Sequence, residues 1–123
     1  MVGREQTEPD AFLQACPSRD IIARLAEKWT MLVIVALEDG PHRFGAVRRR
    51  VEGVSQKMLT KTLRKLEQDG LVTRTVYHEM PLRVEYDLTV LGRDLLPLIG
   101  AIKEWAEAHI AQVLAHCGRP EAP

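Results

Sequence analysis

The sequence predicts an α+β domain that is mainly α: several short helices, one β-hairpin and a long C-terminal helix. Three observations predict it. Apolar residues recur at helical spacing from residue 19 to 69 and again from 89 onward. Between these stretches, residues 71–77 and 82–88 alternate apolar and polar side chains and are rich in β-branched types, the pattern of paired strands. Hydrophobic residues make up 46% of the 123, which suits one domain with one core and is too many for a disordered chain.

Residues 1–15 are polar and are expected to be a flexible N-terminal segment. Ser18 is placed to cap a first helix over 19–27, with Ile21, Ile22 and Leu25 on one face. Residues 29–37 read as a second, deeply buried helix, ended by Asp39-Gly40-Pro41 because proline cannot continue it. A third helix follows over 44–51 and Gly53 breaks it. Ser55 caps a fourth that runs to about Asp69, with Met58, Leu59, Leu63 and Leu66 as its apolar stripe and Gly70 as its stop. His78-Glu79-Met80-Pro81 joins the two strands. Thr89 caps the last helix, where Leu91, Leu95, Leu98, Ile102, Trp105, Ile110 and Val113 recur every three to four residues. Pro97 either kinks this helix or is absorbed in its first turns. Residues 118–123 form a loose tail. Trp29, Met31 and Met58 are expected in the core.

Several function classes find no support. The longest apolar run, residues 31–37, is far shorter than the roughly 18 residues a membrane span needs. Glu5, Glu8 and Asp10 stand where a secretory leader would be apolar, so a cytoplasmic protein with no membrane partner is expected. Two distant cysteines, Cys16 and Cys117, make no disulfide framework and no CxxC zinc pair. His109, His116 and Cys117 fit no common metal spacing. There is no Ser-His-Asp arrangement, Gly-rich phosphate loop or H-E-x-x-H. The expectation is no enzyme, with no catalytic residue, metal or cofactor.

The net charge is zero, but residues 41–65 hold eight basic side chains against Glu52 alone, +7, leaving −7 on the rest of the chain. The predicted third and fourth helices are separated by Glu52-Gly53-Val54, a short glycine-containing turn. That order is the helix-turn-helix, and the following hairpin makes it a winged helix. At 100° per residue, Leu63, Leu66 and Thr62 fall within about 60° of Leu59, whereas Thr60, Arg64, Lys57, Gln68 and Lys61 fall between about 100° and 200°. One face is therefore apolar and the opposite one is cationic and hydrogen-bonding, the division a helix in the major groove of double-stranded DNA requires. Ser55, Gln56 and Lys57 lie in the first turn, where backbone N–H groups favour a phosphate. Arg43, Arg48 and Arg49 are candidate phosphate contacts, although three consecutive arginines span 200° and Arg48, Arg49 and Arg50 cannot all face DNA. On the hairpin, Arg83 and residues 79–82 are placed to reach a flanking minor groove, with Glu79 weakening the electrostatics. Leu98, Ile102, Trp105, Ile110 and Val113 give the last helix more apolar surface than one small domain needs, which points to a dimer interface joined by the first helix. The alternative is a winged helix used as a protein–protein interaction module, which the cationic face over 57–64 argues against.

Cys16-Pro17, Lys28-Trp29, Gly40-Pro41-His42-Arg43-Phe44, Ser55-Gln56-Lys57-Met58-Leu59-Thr60, Asp69-Gly70-Leu71-Val72 and Val84-Glu85-Tyr86 followed by Leu88-Thr89 resemble the HxlR-type winged helix-turn-helix regulators. The resemblance covers about residues 13–110. It departs at Ala26-Glu27, where the family often has Gly-Gly, and at Gly45-Ala46, where an acidic residue is common. It implies a domain over 16–117, with a DNA-binding core at about 28–88 and dimerisation through the first helix and 89–117. It also implies a homodimer on a near-palindromic operator, acting as repressor or activator and answering to an electrophile, an oxidant or a small-molecule effector. A cysteine matching Cys16 senses oxidants in part of the family. Cys16 precedes a helix start with Arg19 nearby, a setting that can lower a thiol pKa. The resemblance leaves open a Cys16–Cys117 bridge between subunits and an inert, buried Cys16.

Overall fold

A computed structural model describes residues 8–116. Its elements in chain order are α1 (Pro17–Leu25), α2 (Thr30–Ala36), α3 (Phe44–Arg50), α4 (Gln56–Gln68), β1 (Val72–Tyr77), β2 (Arg83–Leu88), α5 (Val90–Arg93) and α6 (Leu96–His116). The winged helix-turn-helix architecture, mainly helical with a two-stranded wing and a long last helix, is the one the sequence predicts.

The core is built on α2. Val33, Ile34 and Leu37 are fully buried, as the run of seven apolar residues there requires, and α1, α3, α4 and α6 all pack against this helix. Val47 of α3, Leu59, Leu63 and Leu66 of α4, Val72, Leu88 and Ile99 belong to the same cluster. Trp29 and Met31 pack against it, but Met58 does not. Its side chain is exposed, because it sits about 100° from Leu59 and Thr62 takes the buried place on the stripe.

The turn between α3 and α4 depends on Gly53, whose φ of +93° suits a residue without a Cβ. Ser55 caps α4: its Oγ accepts a hydrogen bond from the Met58 N–H at 3.1 Å. At the other end of the chain's first helix the sequence reading fails by two residues. Cys16 is the N-cap and Ser18 lies inside the first turn, because Pro17 at the first helical position pre-sets the helical φ.

β1 and β2 are antiparallel, in register from Val72↔Leu88 to Tyr77↔Arg83. His42 adds a single bridge to Tyr86, exchanging both backbone hydrogen bonds at 2.9 and 2.8 Å. The base of the hairpin is tied shut by Thr89. Its N–H donates to Leu71 O at 3.0 Å, its hydroxyl donates to Gly70 O at 2.7 Å, and the same hydroxyl accepts from the Gly92 N–H at 3.0 Å. Thr89 thus caps the short α5 and not the long helix. A turn at Asp94 and Leu95 separates the two, and Pro97 is absorbed at the second residue of α6.

Beyond Ile99, α6 leaves the core: no residue from 101 to 116 is buried. No helix among the described residues is long and apolar enough to cross a membrane.

Candidate nucleic-acid interface

The outer face of α4 carries the densest set of unpaired cations among the described residues. Gln56, Lys57, Thr60, Lys61, Arg64, Lys65 and Gln68 line a shallow groove of about 700 Å³. Lys57, Lys61, Arg64 and Gln68 lie opposite the buried Leu59, Thr62, Leu63 and Leu66, as the helical rotation requires, while Gln56, Thr60 and Lys65 flank that face. Lys65 Nζ lies 3.4 Å from the Glu27 carboxylate, whereas Lys57, Lys61 and Arg64 form no ion pair among the described residues. Glu27–Lys65 and the 2.8 Å pair of Arg24 with Asp69 fasten the C-terminal half of α4 to the region of α1.

The three arginines of α3 point to different work. Arg48 Nε donates to Val54 O at 3.3 Å and braces the turn. Arg50 lies 3.8 Å from the Glu38 carboxylate. Arg49, like Arg43 at the N-cap of α3, is exposed and forms no ion pair among the described residues.

A second hollow, about 420 Å³, separates α4 from the hairpin and is lined by Thr60, Leu63, Arg64, Glu67, Arg74 and Tyr86. Arg64 borders both hollows. Arg74 is a candidate residue that sequence reasoning missed. The signal was present: Arg74 shares strand parity with Val72 and Val76, so an arginine stands on the face turned toward α4, opposite its register partner Tyr86.

Arg83 is engaged within the wing. Its guanidinium lies 3.8 Å over the Tyr77 ring, with Nε 3.0 Å from the Glu79 carboxylate and Nη1 on Glu85. The two carboxylates, Glu79 first, hold it more firmly protonated than a free arginine. Its charge is therefore met inside the protein. At the tip, Met80, Pro81 and Leu82 are exposed.

Cys16 is half-buried at the N-cap of α1. Its Sγ and the Ser18 hydroxyl are 2.8 Å apart, and the Asp10 N–H donates to Sγ at 3.2 Å. These bonds push the thiol pKa below its ordinary value, the Ser18 side chain contributing most and the Ser18 backbone next. Arg19 is not the cause. Its guanidinium turns away to Ala11 O at 3.2 Å and Phe12 O at 2.8 Å, closing the loop that precedes α1. Cys117, and with it any bridge to Cys16, lies outside the described residues. Among those residues no three His, Cys, Asp or Glu side chains gather where a metal ion would fit.

On α6, Leu98, Ile102, Trp105, Ile110 and Val113 are all exposed, Trp105 by 58%. Leu98, Ile102, Trp105 and Val113 fall within an arc of about 80°, with Ile110 about 60° further round. Ile22 of α1 and Phe12 and Leu13 before it are also exposed.

A family model described as HxlR-like helix-turn-helix matches residues 24–113. The chain is 40% identical over 114 residues to the HTH-type transcriptional regulator YtfH of Escherichia coli (strain K12), covering 93% of this chain and 90% of that one. It is also similar to a solved structure of ytfH from Salmonella typhimurium, named as a transcriptional regulator: 43% identity, a TM-score of 0.82, 91% of this chain and 100% of that. The redox regulator HypR in its oxidized form is similar too, at 42% identity and a TM-score of 0.70, over 76% of this chain and 96% of that. The chain belongs to the HxlR-like helix-turn-helix family of transcriptional regulators.

Proposed function

We propose that this regulator binds double-stranded DNA sequence-specifically as a homodimer on a near-palindromic operator, and that Cys16 makes binding responsive to oxidants or electrophiles. The observation that carries the reading is the outer face of α4, where Lys57, Lys61 and Arg64 form no ion pair among the described residues and stand beside Gln56 and Thr60. α4 enters the major groove, with Arg64, Lys57 and Lys61 on guanine edges or phosphates and Gln56 and Thr60 on adenine or a thymine methyl. The capped N-terminus at Ser55, together with Arg43 and Arg49, holds phosphates. Arg74 joins this set and Arg48 serves the turn, while Arg83 contributes least to phosphate binding because Glu79 and Glu85 already neutralise it. The DNA-binding core spans about residues 28–88.

Dimerisation uses α1 and residues 89–117. The exposed apolar arc of α6 supports this, since a helix that leaves its own core with Trp105 uncovered needs a partner surface. A second copy related by a two-fold axis buries it and places two copies of α4 on successive turns of one DNA face. The lowered pKa of Cys16 and the likeness to a redox regulator support its role as the sensing thiol.

The test is a gel-shift titration on DNA from beside the protein's own gene, with reductant and after mild diamide treatment, using wild type and Cys16→Ser. The expected result is tight binding by both reduced proteins and loss of binding on oxidation in wild type only. A response that survives Cys16→Ser dismisses Cys16. Absence of binding to this DNA and to a random-sequence pool alike refutes the DNA reading and favours a protein-interaction module.

A further inference from the structure

We propose that the tip of the wing is an apolar wedge that enters the minor groove of the bound duplex and parts a base step, bending the DNA. This rests on the reading of α4 as the DNA-reading helix, but concerns another contact made by another chemistry.

The two strands stay paired up to Tyr77↔Arg83, so only residues 78–82 project past the ladder. There Met80 is 97% exposed and Leu82 61%, with Pro81 between them. One exposed methionine is unremarkable on a protein surface. Three successive apolar residues at the end of a two-stranded ribbon are a different matter, because nothing in the described chain covers them. A wing that tracked phosphates would end in free cations. The cation beside this tip is Arg83, and it is held over Tyr77 between Glu79 and Glu85. Those three charged side chains sum to −1, so the tip has no electrostatic reason to follow a phosphate backbone. Met, Pro and Leu are among the side chains that insert between base steps from the minor groove and kink a duplex.

The same Arg83 cluster gives the wedge its backing. The stacked guanidinium bridges a residue of the tip, Glu79, to both strands through Tyr77 and Glu85. That stiffens the stem immediately behind Met80, and a wedge parts a stacked step only if its own support does not yield. Placement favours DNA over a protein as the occupant. The inner face of the wing shares a hollow with α4 through Arg74, Tyr86, Thr60 and Arg64, so a duplex held on α4 is flanked by the hairpin.

The experiment compares wild type, the double variant Met80→Ser with Leu82→Ser, and Arg64→Ala. The probe is a duplex selected from a random pool by the wild-type protein, with 2-aminopurine in the flanking steps and a dye at each end. Both substituted side chains lie outside the core, so the variant folds. Wild type is expected to raise 2-aminopurine fluorescence, which reports unstacking, and to draw the ends together. The double variant is expected to lose both signals and to bind about tenfold more weakly, from the lost apolar contact. Its dependence on salt is expected to match wild type, because no phosphate contact is lost. Quenched 2-aminopurine in the wild-type complex, or a double variant that bends and binds as wild type does, overturns the wedge. So does a change in its salt dependence, which would mean the tip touches phosphates. Arg64→Ala separates the two readings: if it binds like wild type, the assignment of α4 fails, whatever the wing does.

Discussion

Arg64 borders both hollows of the candidate interface and has no carboxylate partner among the described residues. Arg64→Ala is therefore expected to weaken operator binding by about 1–3 kcal/mol and relax specificity at one base pair. Lys57→Ala, if its contact is a phosphate, instead lowers affinity on all sequences and reduces the salt slope by about one. Fluorescence anisotropy over a salt series distinguishes the two. Cys16 supplies a second test at this scale. Its hydrogen bond with Ser18 favours the thiolate, so the thiolate fraction exceeds that of a free cysteine at neutral pH and falls only as pH drops through the lowered pKa. Ser18→Ala should shift the pH profile of Cys16 alkylation to higher pH and slow the reaction near neutrality. An unshifted profile would show that Ser18 does not set the thiol's reactivity. Single residues were legible in the sequence where rotation about one helix decides their side, as for Lys57, Lys61 and Arg64. They were not where a partner outside the helix decides. The carboxylates on Arg83, the carbonyls that take Arg19 and the Val54 carbonyl on Arg48 all lie within eight residues in sequence, but which of several near neighbours each guanidinium takes is set by how the hairpin, the loop before α1 and the turn after α3 fold back.

At the scale of elements, helix ends followed local chemistry closely. Ser55, Gly53 and Gly70 stand where a cap, a break and a stop were expected. The two misplacements have separate causes. Pro17 starts α1 earlier than Ser18 would, and Thr89 serves a four-residue helix because its hydroxyl is also bound to Gly70. The bridge from His42 to Tyr86 was invisible for a different reason: one residue pair leaves no alternating pattern. The joint between hairpin and α5 is tight at Gly92. A Cβ added at Gly92 would lie 2.2 Å from the Leu71 carbonyl oxygen, a backbone atom that cannot turn aside. Gly92→Ala gains up to about 1 kcal/mol of helix propensity. It nevertheless forces the joint apart, and overpacking of this kind typically costs about 1–3 kcal/mol. The expected net effect is destabilisation, read as a lower midpoint in urea with an unchanged slope. A variant as stable as wild type would mean the joint is looser than its contacts indicate.

For the whole molecule, the excess of apolar residues on the last helix was legible as surface its own core does not take up, because a domain of this size has only one core to fill. The structure assigns Ile99 to that core and leaves Trp105 and its neighbours outside. Trp105→Asp is expected to dissociate the dimer without unfolding the monomer, since Trp105 takes no part in the buried cluster. Sedimentation velocity should then show a single-chain species with wild-type circular dichroism, and operator affinity should fall because one half-site alone holds the protein. An intact dimer would refute the interface.

The knot at Thr89 has a consequence for how such a chain can diversify. By binding Gly70 and Leu71, it pins the two ends of the hairpin together at the surface of the core. Everything between is an excursion with a closed base, and the core does not register how far it extends. Lengthening the segment between residues 78 and 82 costs only loop-closure entropy, about 0.6 kcal/mol for each doubling. The wing can thus be rewritten in length and chemistry while the helices behind it keep their stability, so lineages can change what the hairpin meets without first having to re-fold.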